Sequence, residues 1–159
     1  MSTTTTTTSD AWRHTHLGRL LAQAGARFDT RVLALMAQDD DLALALAHLA
    51  ARGQLGASHI QITRHLPLEG CSLSALAAHA GITKQAMGKL VDQCEAWNLV
   101  ARSPEPRDAR AVRVGFTDTG VQWLAAYQRA VAQAEEEFRQ AVGADVAVVV
   151  HLGLEAYAA

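Results

Sequence analysis

The sequence has little proline, few aromatic residues and only two cysteines. Of its 159 residues, three are proline, two are cysteine and 5% are aromatic. Two cysteines without a C-x-x-C spacing exclude a disulfide-rich scaffold and favour a reducing compartment, the cytoplasm. No apolar run is long enough to cross a bilayer, so no membrane partner is expected. The formal net charge of −2 gives no argument for a nucleic-acid or membrane partner.

Apolar residues make up half of the chain, and alanine and leucine are the commonest of them. Both favour helices, so the composition predicts a mainly α-helical protein with a substantial core. Residues 1–9 are mostly threonine and lack the basic and apolar regions of a signal peptide. We therefore expect them to form a disordered tail.

Residues 10–57 are expected to form the N-terminal helices. The first runs from Asp10 to Met36, because apolar residues recur in it at steps of three or four. These residues are Leu17, Leu21, Ala24, Phe28, Val32 and Leu35. Three acidic residues then precede a second apolar stripe, which predicts an additional helix over 41–52. The second stripe consists of Leu42, Leu46 and Leu49.

Residues 58–117 contain a predicted helix-turn-helix. Ser58 is expected to cap a short helix that precedes the helix-turn-helix. Ser72 and Thr83 are expected to cap the two helices of the motif, since both side chains can accept a hydrogen bond from the first turn. Gly81 permits the left-handed turn between them. Apolar residues are spaced to hold the two helices together: Leu76, Ala77, Ala80, Ile82, Met87 and Leu90.

The second helix of this motif has a polar outer face. It consists of Lys84, Gln85, Gly88, Lys89, Asp92 and Gln93. The predicted inner face consists of Ala86, Met87, Leu90, Val91 and Cys94. Lysine and glutamine offer the charge and the donor and acceptor groups that bind DNA phosphates and base edges. Gly88 would allow a close approach to the groove. An ordinary helical hairpin with a solvated face is the alternative interpretation of this helix taken alone.

A β-hairpin is predicted over residues 100–116. Its second strand alternates between apolar and polar residues, and Arg107, Asp108 and Arg110 are placed at the tip. Residues 82–117 contain six basic and four acidic residues. This local positive surplus on an acidic chain points to a polyanion partner.

Residues 118–159 are expected to form two C-terminal helices. Thr117 can cap the first, and Gly143 ends it. Its apolar seam, spaced like coiled-coil heptads, consists of Gly120, Leu124, Tyr127, Val131, Ala134, Phe138 and Ala141. The last helix is predicted over residues 145–158, although the valine-rich stretch 146–150 also allows a strand as an alternative. Neither this seam nor the stripe of the first helix can be buried against so small a lobe, which predicts a homodimer.

A helix-turn-helix followed directly by a basic hairpin is a winged helix. The stretches that carry a family resemblance are Thr83-Lys84-Gln85, Leu99-Val100-Ala101-Arg102, Pro106-Arg107-Asp108-Ala109-Arg110-Ala111, and Phe116-Thr117 with Gly120. Together they resemble the MarR family of transcriptional regulators, best over residues 58–124. The resemblance implies a mainly α-helical fold with a wing of two or three strands and long terminal dimerisation helices.

The resemblance also implies a function: a sequence-specific, ligand-responsive repressor that acts as a homodimer on a pseudo-palindromic operator. Its second motif helix would enter the major groove and its wing the minor groove. The residues carried over as DNA contacts are Ser72, Ser74, Thr83, Lys84, Gln85, Lys89, Arg107, Asp108 and Arg110. Arg110 matches the wing arginine, and Asp108 the aspartate that orients it. The additional helix departs from the usual family pattern, so no ligand residues are carried over.

Other interpretations stay open at this point. A winged helix that binds protein instead of DNA is the main alternative, and a thiol or small-molecule sensor without DNA readout is another. Cys71 precedes a helix N-terminus and is the candidate sensor thiol, whereas Cys94 is expected in the core. The seven histidines show no metal-ligand spacing, and no enzyme motif is present. We therefore expect no metal, cofactor or catalytic activity.

Overall fold

The computed structural model describes residues 10–42, 44–105 and 108–159, with only the backbone described at 44, 45, 50, 51 and 108–110. The elements in chain order are α1 (Trp12–Thr15), α2 (Leu17–Met36), α3 (Leu44–Ala51), α4 (Ala57–His65), β1 (Cys71–Ser72), α5 (Leu73–His79), α6 (Lys84–Ala96), β2 (Val100–Glu105), β3 (Asp108–Phe116), α7 (Asp118–Val142) and α8 (Ala144–Ala158). The strands form one antiparallel sheet in the order β1-β3-β2. The predicted fold class, mainly helical with a small β wing, is confirmed. The tail predicted over 1–9 lies outside the described residues.

The predicted first helix is interrupted at His16. α1 ends at Thr15, and α2 begins at Leu17. His16 is extended, with φ −73° and ψ 151°, and its Nδ1 accepts a hydrogen bond from the backbone N–H of Arg19 at 3.3 Å. The single helix predicted over 10–36 is therefore wrong at its start, because the histidine side chain caps a new helix.

Three predicted helix caps are present. The side-chain oxygens of Ser72, Thr83 and Thr117 each accept a hydrogen bond from the backbone N–H three residues later, at 3.2, 3.1 and 3.0 Å. These bonds start α5, α6 and α7. Each cap satisfies one of the backbone donors that the first turn of a helix leaves without a partner.

The cap predicted at Ser58 is wrong. α4 begins one residue earlier, at Ala57, and Gly56 takes the cap position. The backbone N–H of Gly56 donates to Nδ1 of His59 at 3.0 Å. The buried His59 thus accepts a hydrogen bond from the N–H of the cap residue itself, whereas a serine hydroxyl at the cap would have accepted one from the first turn of the helix.

The core lies where α2 and α4 to α7 meet the sheet, and its α7 face centres on Trp123, Ala126 and Ala130. Two predicted seam residues, Gly120 and Ala134, belong to this buried face, and three others flank it as half-buried side chains: Leu124, Tyr127 and Val131. Between Gly120 and Ala134, the predicted seam is therefore offset by one residue from the face that this protomer buries. The small side chains of Ala126 and Ala130 let α2 approach α7 closely. The spacing of apolar residues in the sequence could not distinguish this alanine stripe from the predicted seam beside it.

The hairpin forms as predicted, but Arg110 lies inside its second strand. β2 and β3 pair until Glu105, which lies opposite Asp108. β1 adds a third strand beside β3. Arg110 is thus the third residue of β3 and is not at the tip. The turn itself, residues 106–107, lies outside the described residues.

α8 turns away from α7 at Gly143, which adopts φ +91°. The two helices meet at a bend of 120°. The helix predicted over 145–158 is confirmed, and the strand alternative is wrong. No described residue of α8 is buried. In the part of the chain that is described, no single helix is long and apolar enough to span a membrane, although α7 and α8 meet that length and composition as a bent pair.

Candidate nucleic-acid interface

α5 and α6 pack as a helix-turn-helix. Gly81 adopts φ +65°, the left-handed conformation expected at the turn. Leu76, Ala77 and Met87 are at most 4% exposed. Partly buried side chains complete the contact: Ala80, Ile82 and Leu90. The apolar spacing predicted for this motif is confirmed, and it turns the polar side of α6 toward solvent.

Six of the residues expected to contact DNA are exposed: Ser72, Ser74, Thr83, Lys84, Gln85 and Lys89. Gln85 and Lys89 are four residues apart and share one side of α6. Among the described residues, neither Lys84 nor Lys89 forms an ion pair. Both ammonium groups therefore face solvent without an internal counterion.

Two residues of α6 are oriented differently from the prediction. Gly88 is half-buried toward α5, and a Cβ at this position would lie 3.8 Å from Cδ2 of Leu73. Ala86, predicted on the inner face, is exposed. The reason is that the fully buried side of α6 follows Met87, Val91 and Cys94. A side chain at position 88 would therefore point toward α5, in ordinary van der Waals contact with Leu73, and not toward an outside partner.

Arg102, on β2, is bound by α6. Its Nη2 donates to Oδ1 of Asp92 at 2.6 Å, its Nη1 donates to Oε2 of Glu95, and its backbone N–H donates to Oε1 of Glu95 at 3.1 Å. Partial burial would lower the pKa of this guanidinium, but the hydrogen bonds to the two carboxylates outweigh burial and raise the pKa. Arg102 thus stays charged and connects the wing to α6.

Arg113, on β3, is bound by the loop before β1. Its Nε donates to the carbonyl oxygen of Glu69 at 2.8 Å, and its Nη2 donates to that of Gly70 at 3.0 Å. Its Nη1 also pairs with Glu105 at 3.1 Å. Gly70 makes this close approach possible, since a Cβ on it would lie 2.5 Å from the carbonyl oxygen of Val114.

These pairs reduce the positive charge that the segment offers to a partner. Sequence reasoning counted Arg102 and Arg113 with the basic surplus, but both are engaged within the fold. The internal pairing of Arg102 could have been predicted from the sequence, because Asp92 and Glu95 lie three residues apart near the end of α6, shortly before β2. For Arg113 the comparable local signal was Glu105, eight residues earlier in the chain, whereas its two loop partners are more than 40 residues away in sequence.

The three predicted wing contacts are only partly placed. Arg107 lies outside the described residues. Asp108 and Arg110 lie in β3, and their side chains lie outside the described residues. The salt bridge expected between these two side chains stays a prediction.

His59 connects α4 to α6. Its Nδ1 accepts from the backbone N–H of Gly56, so Nε2 carries the proton and donates to Oε1 of Gln93 at 2.8 Å. Its ring centroid lies 5.0 Å from that of Trp97, at the end of α6. The histidine is 6% exposed and therefore acts in packing. In the described ranges, no group of three or more histidine, cysteine or acidic residues is placed to hold a metal ion.

Neither cysteine has the environment of a sensor thiol. Burial raises the pKa of Cys94 to about 12. Cys71 lies in β1 and not in a loop, and burial raises its pKa as well, against the lowering effect of Arg113. Because the thiolate is the reactive form, the raised pKa makes Cys71 a less reactive thiol, and its role as a redox sensor stays an untested prediction. The core position predicted for Cys94 is confirmed.

The geometry agrees with sequence comparisons of the same segment. Residues 43–111 match the model of the MarR family. Over 69 residues, 43% of this chain, the sequence is 35% identical to a candidate transcriptional regulatory protein for the hcr operon of Thauera aromatica. The segment 43–111 is therefore similar to the MarR family of transcriptional regulators. The match to the Thauera aromatica protein spans 42% of that relative's length.

Solved MarR family structures are similar over most of the chain. The repressor CouR bound to a 23-mer DNA duplex has a TM-score of 0.67 at 22% identity, covering 95% of this chain and 98% of CouR. A MarR family protein of Mycobacterium tuberculosis in complex with salicylic acid has a TM-score of 0.63 at 24% identity, covering 90% and 96% of the two chains. These similarities show the fold, including the terminal helices beyond the family match.

Proposed function

We propose that this chain is a sequence-specific DNA-binding regulator in which α6 enters the major groove and the wing enters the adjacent minor groove. The observation that carries the proposal is the exposed side of α6. There, Gln85 lies between Lys84 and Lys89, two cations without ion pairs in the described part of the protein. Such a face is suited to phosphate oxygens and base edges.

The side chains at the start of the motif have separate roles in this proposal. The amide of Gln85 can donate to and accept from one base edge, whereas Lys84 and Lys89 neutralise phosphates. The hydroxyl oxygens of Ser72 and Thr83 already accept a hydrogen bond as helix caps. Their hydroxyl protons are left to donate to a phosphate oxygen.

The wing would supply the minor-groove contact. Arg110 would insert its guanidinium, Asp108 would orient it, and Arg107 would meet a phosphate. Arg102 and Arg113 are excluded from this role because internal partners hold both guanidinium groups.

The proposed regulator is a homodimer. α8 exposes large apolar side chains along its length: Val146, Val148, Val149, Leu152, Leu154 and Tyr157. The start of α2 adds Leu17 and Leu20, which are 63% and 50% exposed. A contiguous apolar surface of this kind marks an interface. Two lobes related by a two-fold axis would read half-sites about one helical turn apart.

We also propose that a small molecule regulates this dimer as the effector of a repressor. A largely apolar groove of about 610 Å³ lies between α2, α7 and α8, and Arg64 and Asp29 line it. Arg64 donates to Asp29 and, at 3.1 Å, to the hydroxyl of Tyr127. An apolar ligand with a carboxylate could take the place of Asp29 on Arg64. Salicylate is a suitable probe: it should quench tryptophan fluorescence and release DNA from wild type, and an absence of both effects would contradict this site.

The decisive experiment begins with selection of genomic fragments by the purified protein. Alanine substitution of Lys84 or Gln85 should weaken binding to the selected duplex, by roughly 1–3 kcal/mol for a lost bidentate base contact. Arg110→Ala should weaken binding and lower the salt slope by about one unit, with a milder defect for Asp108→Ala. Arg52→Ala, which removes an exposed positive charge outside the motif, is the matched control.

Fluorescence anisotropy over a salt series, with melting curves as the folding control, measures these effects. If the α6 and wing variants all melt normally and bind every duplex like wild type, the winged helix does not read DNA. The alternative function, a protein-interaction module, would then replace this proposal.

A further inference from the structure

Two carboxylates lie on the helix that is proposed to meet DNA. Asp92 is three residues after Lys89 and seven after Gln85, so the three share the outer side of α6. The side chain of Asp92 is 66% exposed and that of Glu95 is 39% exposed. Without a counterion, both would present negative charge toward a phosphate backbone.

Arg102 is the counterion of both acids. Its side chain is 29% exposed, and its two Nη atoms donate to Asp92 and Glu95. Since its backbone N–H donates to Glu95 as well, the guanidinium is held in a fixed position against α6. This charge is directed into the motif and not outward.

We propose that Arg102 is a positioning residue that shields Asp92 and Glu95 from DNA phosphates and keeps Lys89 available to them, an inference that rests on the proposed DNA-binding function. Loss of Arg102 would expose two negative charges near the phosphates. It would also allow Asp92 to pair with Lys89 one helical turn away. The helix-turn-helix would then repel DNA phosphates through the two carboxylates, and Lys89 would no longer be available to bind them.

Arg113 provides a matched comparison. It is the other wing arginine held by a carboxylate, and its side chain is 27% exposed, close to the value for Arg102. Its partners are Glu105 and two loop carbonyls, none of which lies on α6. Removing Arg113 therefore deletes the same charge from the wing without exposing an acid on α6.

The test compares five variants by anisotropy with a fluorescent duplex selected by the wild-type protein. They are Arg102→Ala, the double variant Asp92→Asn/Glu95→Gln, the triple variant that combines them, Arg113→Ala, and Arg113→Ala combined with the double variant. We expect Arg102→Ala to bind about tenfold more weakly, the order expected for one unscreened charge pair. The double variant should bind at least as well as wild type, and adding Arg102→Ala to it should cost about twofold or less. Arg113→Ala should have the same effect in the wild-type and double-variant backgrounds.

Each alternative role of Arg102 has its own pattern. If Arg102→Ala weakens binding equally in both backgrounds, Arg102 is a direct phosphate ligand and the proposal is overturned. If the double variant is as defective as Arg102→Ala, the bonds act as a mechanical clamp and the proposal is also overturned. If Arg102→Ala melts early, Arg102→Gln replaces it, since glutamine removes the charge but keeps a donor. Wild-type protein that binds no duplex would contradict the proposed function itself.

Discussion

At the scale of single residues, Gly120 determines how closely the start of α7 approaches the end of α6. A Cβ built on Gly120 would lie 1.8 Å from the carbonyl oxygen of Leu99. Leu99 cannot move aside easily, because it is fully buried and its carbonyl accepts a hydrogen bond from the backbone N–H of Thr117 at 3.2 Å. Gly120→Ala should therefore destabilise the protein by about 3 kcal/mol or more, measured by urea unfolding.

Gly115→Ala is the control for this substitution. No atom lies within 4 Å of a Cβ at Gly115, so its stability should stay within about 0.5 kcal/mol of wild type. Equal unfolding midpoints for the two alanine variants would show that the contact between Gly120 and Leu99 does not limit packing.

At the scale of secondary-structure elements, α8 contributes apolar surface that its own protomer does not cover. Val149 is 69% exposed on this helix. Burial of that surface in a dimer would stabilise the assembly by about 25 cal/mol per Å² before the costs of association. Val149→Glu should therefore convert the proposed dimer to a monomer in sedimentation experiments at micromolar concentration, because a carboxylate would have to be buried at the interface.

Leu68→Glu is the matched control at the element scale. Leu68 is 71% exposed, lies in the loop after α4 and is not among the residues that line the groove beside α8. The same substitution there should leave the dimer intact. A wild-type monomer, or a Val149→Glu variant that still dimerises, would contradict the assignment of α8 to the interface.

At the scale of the whole molecule, two ion pairs hold α7 against the N-terminal part of the chain and make stability depend on pH. Arg31 binds Glu137 at 2.7 Å, and Arg129 binds Asp39 at 2.8 Å. The hydrogen bonds from Arg31 lower the pKa of Glu137 from 4.5 to about 2, and the bond from Arg129 lowers the pKa of Asp39. A lowered carboxylate pKa contributes stability that is present above the unfolded-state pKa and is lost as the pH falls through the folded-state pKa.

The free energy of unfolding should therefore fall between pH 4.5 and pH 2, the interval between the two pKa values of Glu137. Glu137→Gln and Asp39→Asn should each flatten this part of the curve, measured by urea unfolding at a series of pH values. The effect of Glu137 should be small, because the side chains of Arg31 and Glu137 are 43% and 34% exposed and solvent screens their interaction. Parallel curves for wild type and both variants would show that these carboxylates do not couple folding to pH.

Much of this fold could be predicted because its signals are local. Ser72, Thr83 and Thr117 each bind a backbone N–H three residues away, so a short window of sequence contains both partners of the bond. The same holds for the turn at Gly81 and for the alternation that predicts the hairpin. The break at His16 is also local, but histidine is an uncommon cap and the apolar stripe runs through it.

By itself, the sequence determined the order of the helices, the winged helix-turn-helix and the polar side of α6, since each follows from spacing over a few residues. Only the tertiary structure decided which face of α7 is buried, which arginines have internal partners and which apolar surfaces have none. Arg113 illustrates the reason: its charge is visible in the sequence, but its loop partners lie more than 40 residues away. Whether a cation is engaged within the fold or left for a partner depends on where the chain folds back, and residue spacing alone does not contain that information.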